Sequence, residues 1–180
     1  MTKYLAFLRG VNVGGQNLIK MKDLCHSLDS IGFLNVQTFI QSGNVSFDSK
    51  PGNIDSLQKT VAFQIEKDLG LKIKVIIRTL SNIQDIIRND PFKNVEWNLH
   101  TKFYVCFLYD EPKIQPHLPL ENPKEGLELF HLDEKEAYLV SKEINGRYGF
   151  PNNFIEKELN VISTARNWTT INKIVRIKEK

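Results

Sequence analysis

The stretch VQTFIQSGNVSFD, residues 36–48, decides the fold that the sequence predicts. Two short β-prone runs, 36–41 and 45–48, flank the tripeptide Ser42-Gly43-Asn44. Glycine and asparagine adopt positive φ values at little cost, so this composition is typical of a tight turn between antiparallel strands. We therefore predict a β-hairpin over these residues.

On each side of the hairpin, the spacing of apolar residues predicts a helix and then a strand. Apolar side chains recur with helical periodicity from Met21 to Ile31 and from Ile54 to Ile65, and residues 3–9 and 72–78 have strand character. Residues 4–8 are apolar at every position, which predicts a central strand covered on both faces. The order β-α-β-β-α-β is that of the ferredoxin-like split βαβ unit, which we predict for residues 1–80.

This topology also predicts which loops are neighbours. In a split βαβ sheet, the first strand pairs with the second strand of the hairpin, and the hairpin turn lies at the end of the sheet where the first strand finishes. We therefore expect the loop at residues 9–17 to lie beside the turn at residues 41–44.

For residues 81–180, the sequence predicts a second, smaller α+β half of related architecture that packs closely on the first half. The expected elements are a helix near 81–89, a strand at 103–109, an ordered surface loop at 111–123, and a hairpin that joins 127–131 to 137–141. Asn153 followed by Glu156 resembles a capping box that opens a short helix ending at Leu159. A C-terminal helix is predicted from Trp168 to Ile177.

The composition is that of a globular protein. Of 180 residues, 41% are hydrophobic and 25% are charged, and the formal charge of +3 is too small to argue by itself for a nucleic-acid partner. No apolar run has membrane-spanning length or the features of a signal peptide, so we expect a cytoplasmic protein without a membrane partner. The sequence shows no internal repeat.

The glycine-rich loop after the first strand invites comparison with a phosphate-binding P-loop. Gly10 and Gly15 have the required separation, but Gln16 and Asn17 occupy the positions of the essential lysine and serine or threonine. This difference excludes a nucleotide triphosphatase of that type. Two interpretations remain, because Gly14 and Gly15 are suited equally to an anion-binding set of backbone N–H groups and to a simple tight turn.

Two arginines are candidates for anion binding. Arg9 ends the first strand, where it is predicted to face a cleft with Lys20, Gln41 and Asn44; a structural salt bridge is the alternative. Arg166 precedes the final helix, whose N-terminus favours anions. Thr164 or Asn167 is equally suited to capping that helix.

Catalytic and metal-binding patterns are weak. Cys25 and His26 are adjacent on a predicted helix, where neighbouring side chains diverge, and the histidines lack metal-ligand spacing. Cys25 and Cys106 are predicted to be buried thiols, and no cofactor is predicted. Arg147, Tyr148 and Phe150 combine a cation with stacking surfaces, a pattern of nucleic-acid binding sites, but a sheet face covered by the second half would leave no stacking platform. The C-terminus is also basic, through Lys173, Arg176, Lys178 and Lys180, for which a solvated tail is the simpler interpretation.

Three segments together resemble a known family. They are residues 4–15 (YLAFLRGVNVGG), residues 38–45 (TFIQSGNV) and residues 164–168 (TARNW). They resemble the bacterial domain of unknown function 1697 family. The resemblance implies an α+β fold of two ferredoxin-like halves, but it implies no substrate. The family signature falls on Arg9, Gly10, Asn12, Gly14, Gly15, Gln41, Ser42, Gly43, Asn44, Arg166, Asn167 and Trp168.

The leading functional hypothesis is a protein that binds an anionic ligand, either a nucleotide or the phosphates of a nucleic acid. An enzyme that acts on a phosphorylated or carboxylated small molecule, with Arg9 and Arg166 as electrostatic clamps, is one alternative. A purely structural role for these loops is another. The predicted ligand-binding residues are Arg9, Gly10, Asn12, Gly14, Gly15, Lys20, Gln41, Ser42, Gly43, Asn44, Thr164, Arg166 and Asn167.

Overall fold

The computed structural model describes residues 1–41 and 43–178, so that Ser42, Glu179 and Lys180 lie outside the described residues. The chain forms two compact units, Met1–Ile83 (unit 1) and Gln84–Lys180 (unit 2). The described residues form five helices and two antiparallel sheets, which confirms the predicted α+β class. None of these helices has the length and apolar character required to cross a lipid bilayer.

Unit 1 follows the predicted order of elements. They are β1 (Thr2–Leu8), α1 (Met21–Asp29), β2 (Leu34–Phe39), β3 (Asn44–Ser49), α2 (Ile54–Leu69) and β4 (Val75–Thr79). The next helix is α3 (Leu80–Asn89), in which unit 1 ends at Ile83 and unit 2 begins at Gln84.

The first sheet has the strand order β2-β3-β1-β4, and every neighbouring pair is antiparallel. Alternate residues of β1, including Tyr4 and Leu8, pack in one core with residues of α1 and α2. The intervening Leu5 and Phe7 are no more than 2% exposed. Both faces of β1 are therefore covered, as the run of apolar residues predicted.

Unit 2 contains more strands than the sequence predicted. Its elements are β5 (Thr101–Leu108), β6 (Leu120–Asn122), β7 (Leu127–Leu132), β8 (Glu136–Lys142), α4 (Pro151–Leu159), β9 (Ser163–Asn167) and α5 (Trp168–Lys178). The strand order in its sheet is β6-β7-β8-β5-β9. The prediction of a smaller second half is wrong, because this sheet has five strands and the first has four.

Two strands of unit 2 were missed for the same physical reason. The three residues of β6 lie within the predicted surface loop and form a strand through pairing with β7. The sequence of β9, STARN, has no apolar alternation, and it is extended because it pairs with β5. Neither segment carries a local strand signal, so only the partner strand identifies it.

The predicted capping box of α4 is also wrong. The helix begins at Pro151, and its N-cap residue Phe150 makes no side-chain capping bond. The Oε1 atom of Glu156 instead accepts a hydrogen bond from the backbone N–H of Ser163, at 2.8 Å. A tertiary contact to β9 therefore uses the side chain that the local pattern assigned to the cap.

Candidate functional site

The glycine-rich loop of unit 1 contains a small hairpin of its own. Val13 and Gln16 form an isolated antiparallel bridge, and the Gln16 N–H donates to the Val13 carbonyl at 3.1 Å. Gly14 and Gly15 form the turn with φ values of 58° and 76°. Two consecutive positive φ values are those of a type I′ turn, for which glycine is well suited. The backbone of Gly14 and Gly15 therefore has the conformation of a tight turn, the second of the two interpretations of these glycines.

Asn12 fastens this loop to the rest of the unit. Its Nδ2 atom donates to the carbonyls of Ile19 and Gln41, at 3.1 and 2.7 Å, and its Oδ1 atom accepts from the Ile19 N–H at 2.8 Å. Asn17 supports the same arrangement, since its Nδ2 atom donates to the Gly10 carbonyl at 2.9 Å. The loop is thus held by side-chain amides and is not simply a flexible connection.

The hairpin turn between β2 and β3 lies beside this loop. The Leu8 N–H donates to the Gly43 carbonyl at 2.8 Å. Gly43 has a φ of 71°, and a Cβ atom there would lie 2.3 Å from Cγ2 of Val11. Together with the bond between Asn12 and Gln41, these contacts confirm the predicted proximity of the two loops.

The candidate side chains of the turn and of the neighbouring loop differ in exposure. Asn44 is buried, and its Nδ2 atom donates to the Phe39 carbonyl at 3.1 Å, so this amide stabilises the turn. Gln41 and Lys20 are exposed, and Arg9 is half-buried. Ser42 lies outside the described residues. Among these side chains, those of Lys20, Gln41 and Arg9 are therefore at least partly accessible at this end of the sheet.

A third segment lies at the same end of the sheet as these two loops. The Leu8 residue of β1 pairs with Val75 of β4, and the Arg9 N–H donates to the Lys74 carbonyl at 2.9 Å. Residues 70–74 therefore lie at the same end of the sheet as the loop 9–20 and the turn 40–44. We call these three segments the basic edge, because they contain cations but no aspartate or glutamate. Its cations are Arg9, Lys20, Lys72 and Lys74.

The other predicted site residues belong to unit 2. Thr164 and Arg166 are buried in β9, and Nη1 of Arg166 donates to Oγ1 of Thr164 at 2.7 Å and to the Ala165 carbonyl at 2.9 Å. Burial lowers the pKa of Arg166 to about 10, so the guanidinium stays charged at neutral pH. Asn167 caps α5 as predicted, because its Oδ1 atom accepts from the Thr169 N–H at 2.9 Å.

The two thiols are poor nucleophiles in this fold. Cys106 is fully buried and Cys25 is half-buried, and burial raises the pKa of each thiol. Over residues 1–41 and 43–178, no three His, Cys, Asp or Glu side chains are grouped closely enough to bind a metal ion.

The sequence did not predict a cluster of polar side chains in unit 2. Nδ1 of His100 lies 2.8 Å from Oε2 of Glu143, which also accepts from the Tyr148 hydroxyl at 3.2 Å. These hydrogen bonds, that of His100 first, lower the pKa of Glu143. His100 and Glu143 are 43 residues apart, so only their pairing across the fold brings them together. The Asn145-Gly146 dipeptide before Tyr148 is the one local signal of a tight turn in this region.

Comparison with known proteins identifies the family. A family model described as protein of unknown function (DUF1697) matches residues 1–138. The chain belongs to this family. The DUF1697 match includes all three segments of the basic edge and ends within β8, before the segment 164–168.

Other comparisons show the fold alone. The structure of a conserved bacterial protein from Streptococcus pneumoniae is similar to this chain, with a TM-score of 0.62 and 19% sequence identity over 97% of each chain. At this identity the similarity shows a shared fold and says nothing of activity. No curated protein matches the chain.

Proposed function

We propose that this DUF1697 protein binds a phosphate-bearing ligand, such as a nucleotide or a nucleic-acid phosphate, at the basic edge of unit 1. One observation carries the proposal: three segments that are separate in sequence meet at one end of the sheet with four cations and no carboxylate among them. A surface with charges of one sign attracts and concentrates ligands of the opposite sign.

The nearest acidic side chains along the chain are already engaged or lie in helices. Asp68, two residues before the third segment, accepts hydrogen bonds from Ser27 at 2.8 Å and Gln64 at 2.6 Å. Asp23 lies in the first turn of α1, where an acidic residue interacts favourably with the helix dipole. The three segments of the basic edge themselves contain four cations and no carboxylate.

The hydrogen bonds of Asn12 give this surface a defined shape. They fix the loop that carries Arg9 and Lys20 against the turn that carries Gln41. A ligand that meets an ordered loop loses less free energy to conformational ordering than one that must immobilise a flexible loop. In this proposal, Asn12, Gly43 and Asn44 shape the surface, and Arg9, Lys20, Lys72 and Gln41 contact the ligand.

Inorganic pyrophosphate is a suitable probe, because it carries phosphate charge but no base or sugar. We expect saturable binding in isothermal titration calorimetry that weakens about fivefold in Lys20→Gln/Lys72→Gln, since each exposed ion pair contributes at most about 1 kcal/mol. The matched control is Lys50→Gln/Lys59→Gln, which removes the same charge from exposed lysines outside the basic edge.

Two outcomes would contradict the proposal. One is the absence of pyrophosphate binding at low ionic strength. The other is an equal loss of affinity in both double variants, because that result would show a response to net charge and not to a site. Circular dichroism of each variant checks that the fold is retained.

We also propose that unit 1 is ferredoxin-like. The order of its elements and the strand order β2-β3-β1-β4 support this assignment. Unit 2 would be a variant in which the connection between β5 and β7 contains β6 in place of a helix. This fold alone assigns no function, because the same architecture supports many unrelated activities.

A further inference from the structure

Unit 2 contains an open groove that none of the predicted ligand-binding residues lines. Its volume is about 500 Å³, which is within the usual range for small-molecule sites. The walls come from the turn between β6 and β7 and from residues 144–149 after β8. They include the cations Lys124 and Arg147 and the side chain of Tyr148.

The second wall is a small hairpin with a rigid turn. Ile144 and Arg147 exchange two backbone hydrogen bonds, of 2.8 and 3.0 Å. Asn145 and Gly146 form the turn between them with φ values of 51° and 75°. This type I′ geometry presents Arg147 and Tyr148 from a fixed backbone.

The two walls are held together by close backbone packing. A Cβ atom on Gly149 would lie 2.3 Å from the carbonyl oxygen of Glu125, so only glycine allows this approach. The Ser141 hydroxyl donates to the Gly149 carbonyl at 3.0 Å. The groove is therefore formed before any ligand arrives, which reduces the entropic cost of binding.

Tyr148 is fixed and remains uncharged at neutral pH. Its hydroxyl lies 3.2 Å from Oε2 of Glu143 and 3.3 Å from the Leu99 carbonyl, and Nζ of Lys102 lies 3.7 Å from the centre of its ring. Burial, followed by the hydrogen bond to Glu143, raises the pKa of the hydroxyl. The ring is thus an immobilised aromatic surface with a cation over one face, which leaves only the opposite face for a stacked base.

The charge and aromatic content of the groove favour one class of ligand. The lining contains two cations, Lys124 and Arg147, and one carboxylate, Glu125, while the carboxylate of Glu143 accepts the hydrogen bond of the Tyr148 hydroxyl. Phe150, which follows the groove directly, is 56% exposed although it packs edge-on against Tyr104. Exposed aromatic rings flanked by cations are characteristic of surfaces that bind single-stranded nucleic acids.

We propose that this groove binds single-stranded nucleic acid, with a base stacked on Tyr148 and backbone phosphates contacted by Lys124 and Arg147. Every base has a π face, so the site discriminates little between sequences. Affinity falls as salt concentration rises, because bound phosphates release counterions. The site is independent of the phosphate site proposed for unit 1.

Fluorescence anisotropy with a labelled single-stranded RNA of about 12 nucleotides, close to the site sizes of such surfaces, tests the proposal on the full chain. We expect Tyr148→Leu to weaken binding about tenfold, the effect of losing one stacking contact, and Tyr148→Phe to retain it. Arg147→Gln should weaken binding and reduce the slope of log affinity against log salt by about 1. Lys157→Gln on α4, which removes a lysine that is 82% exposed, should bind as the parent does.

Several results would overturn this assignment. They are the absence of RNA binding at low salt, an equal loss in Arg147→Gln and Lys157→Gln, and a loss in Lys20→Gln/Lys72→Gln without any loss in Arg147→Gln. The last result would place the RNA on unit 1 and leave the function proposed there intact. Arg147 is exposed, so its variant tests the groove even if Tyr148→Leu lowers the melting temperature.

Discussion

Asn12 shows how one side-chain amide organises the glycine-rich loop. It combines a positive φ of 54° with hydrogen bonds to two segments, and asparagine is one of the few residues other than glycine that tolerate this backbone conformation. The residue therefore has two separable roles, one in the backbone and one in the side chain. The sequence-based hypothesis included Asn12 among the ligand-binding residues, whereas its hydrogen bonds support a role in shaping the loop.

Asn12→Ala should lower the free energy of unfolding by about 1–3 kcal/mol, because it removes the side-chain hydrogen bonds. Alanine also tolerates a positive φ less well than asparagine does. Asn12→Gly removes the bonds without the backbone strain and separates the two effects. Urea denaturation measures both. The control is Gln16→Ala in the same loop, which we expect to change stability by less than about 0.5 kcal/mol. Equal effects of Gln16→Ala and Asn12→Ala would contradict the assigned role.

At the scale of elements, both sheets protect an edge strand in the same way. β4 and β9 are edge strands, and an uncovered edge exposes N–H groups that invite pairing with other chains. Oε1 of Gln58 on α2 accepts from the Ile77 N–H at 3.0 Å, and Oδ1 of Asn152 on α4 accepts from the Ala165 N–H at 2.7 Å. Each helix therefore supplies a side-chain acceptor for one backbone N–H of the edge strand that follows it.

Asn152→Ala should destabilise the protein by about 1–2 kcal/mol, because the Ala165 N–H loses its partner in a partly buried position. Its neighbour Asn153 is exposed, and Asn153→Ala provides the matched control, with an expected change below about 0.5 kcal/mol. Thermal denaturation compares the two. A larger effect at Asn153 would instead support the capping box that the sequence suggested.

At the scale of the whole molecule, the two units repeat one arrangement without a repeat in sequence. The bond from the Arg9 N–H to the Lys74 carbonyl recurs as the bond from the Tyr109 N–H to the Ile162 carbonyl. Arg78 and Arg166 occupy equivalent places in β4 and β9, and each is buried and donates to the carbonyl of the residue before it, at 2.9 Å. The two units therefore share a pattern of strand pairing and, within it, a buried arginine at the same position of the edge strand.

Each unit also contains a carboxyl group that titrates below its ordinary range. The hydrogen bond from Ser27, followed by that from Gln64, lowers the pKa of Asp68 in unit 1. The hydrogen bonds from His100 and Tyr148 lower the pKa of Glu143 in unit 2. A carboxyl whose pKa is lowered by folding stabilises the protein above its unfolded pKa, and this stabilisation is lost as the pH falls through the folded pKa.

Asp68→Asn and Glu143→Gln should each lower the melting temperature at about pH 7, and the difference from the parent should shrink towards about pH 3. Differential scanning calorimetry across this range measures the change. Glu134→Gln, in an exposed turn, is the control. A difference that stays constant from neutral to acid pH would show that the carboxyl charge is not the source of the stabilisation.

The sequence by itself determined the first half of this protein to a large extent. The hairpin of β2 and β3, the apolar run of β1 and the helix that begins at Ile54 are local signals, and each agrees with the structure. Topology then placed the loop at 9–17 beside the turn, because strand order fixes which ends of a sheet meet. The missing P-loop lysine was equally visible in the sequence.

The tertiary structure alone decided the features of the second half that its local sequence does not signal. β9 is a strand because β5 pairs with it, and Asn152 and Glu156 act on that strand and not on their own helix. The groove beside Tyr148 requires close contact between Glu125 and Gly149, which lie in different connections. Such features depend on residues that are distant along the chain, and local propensity carries no information about which distant backbone will supply the partner.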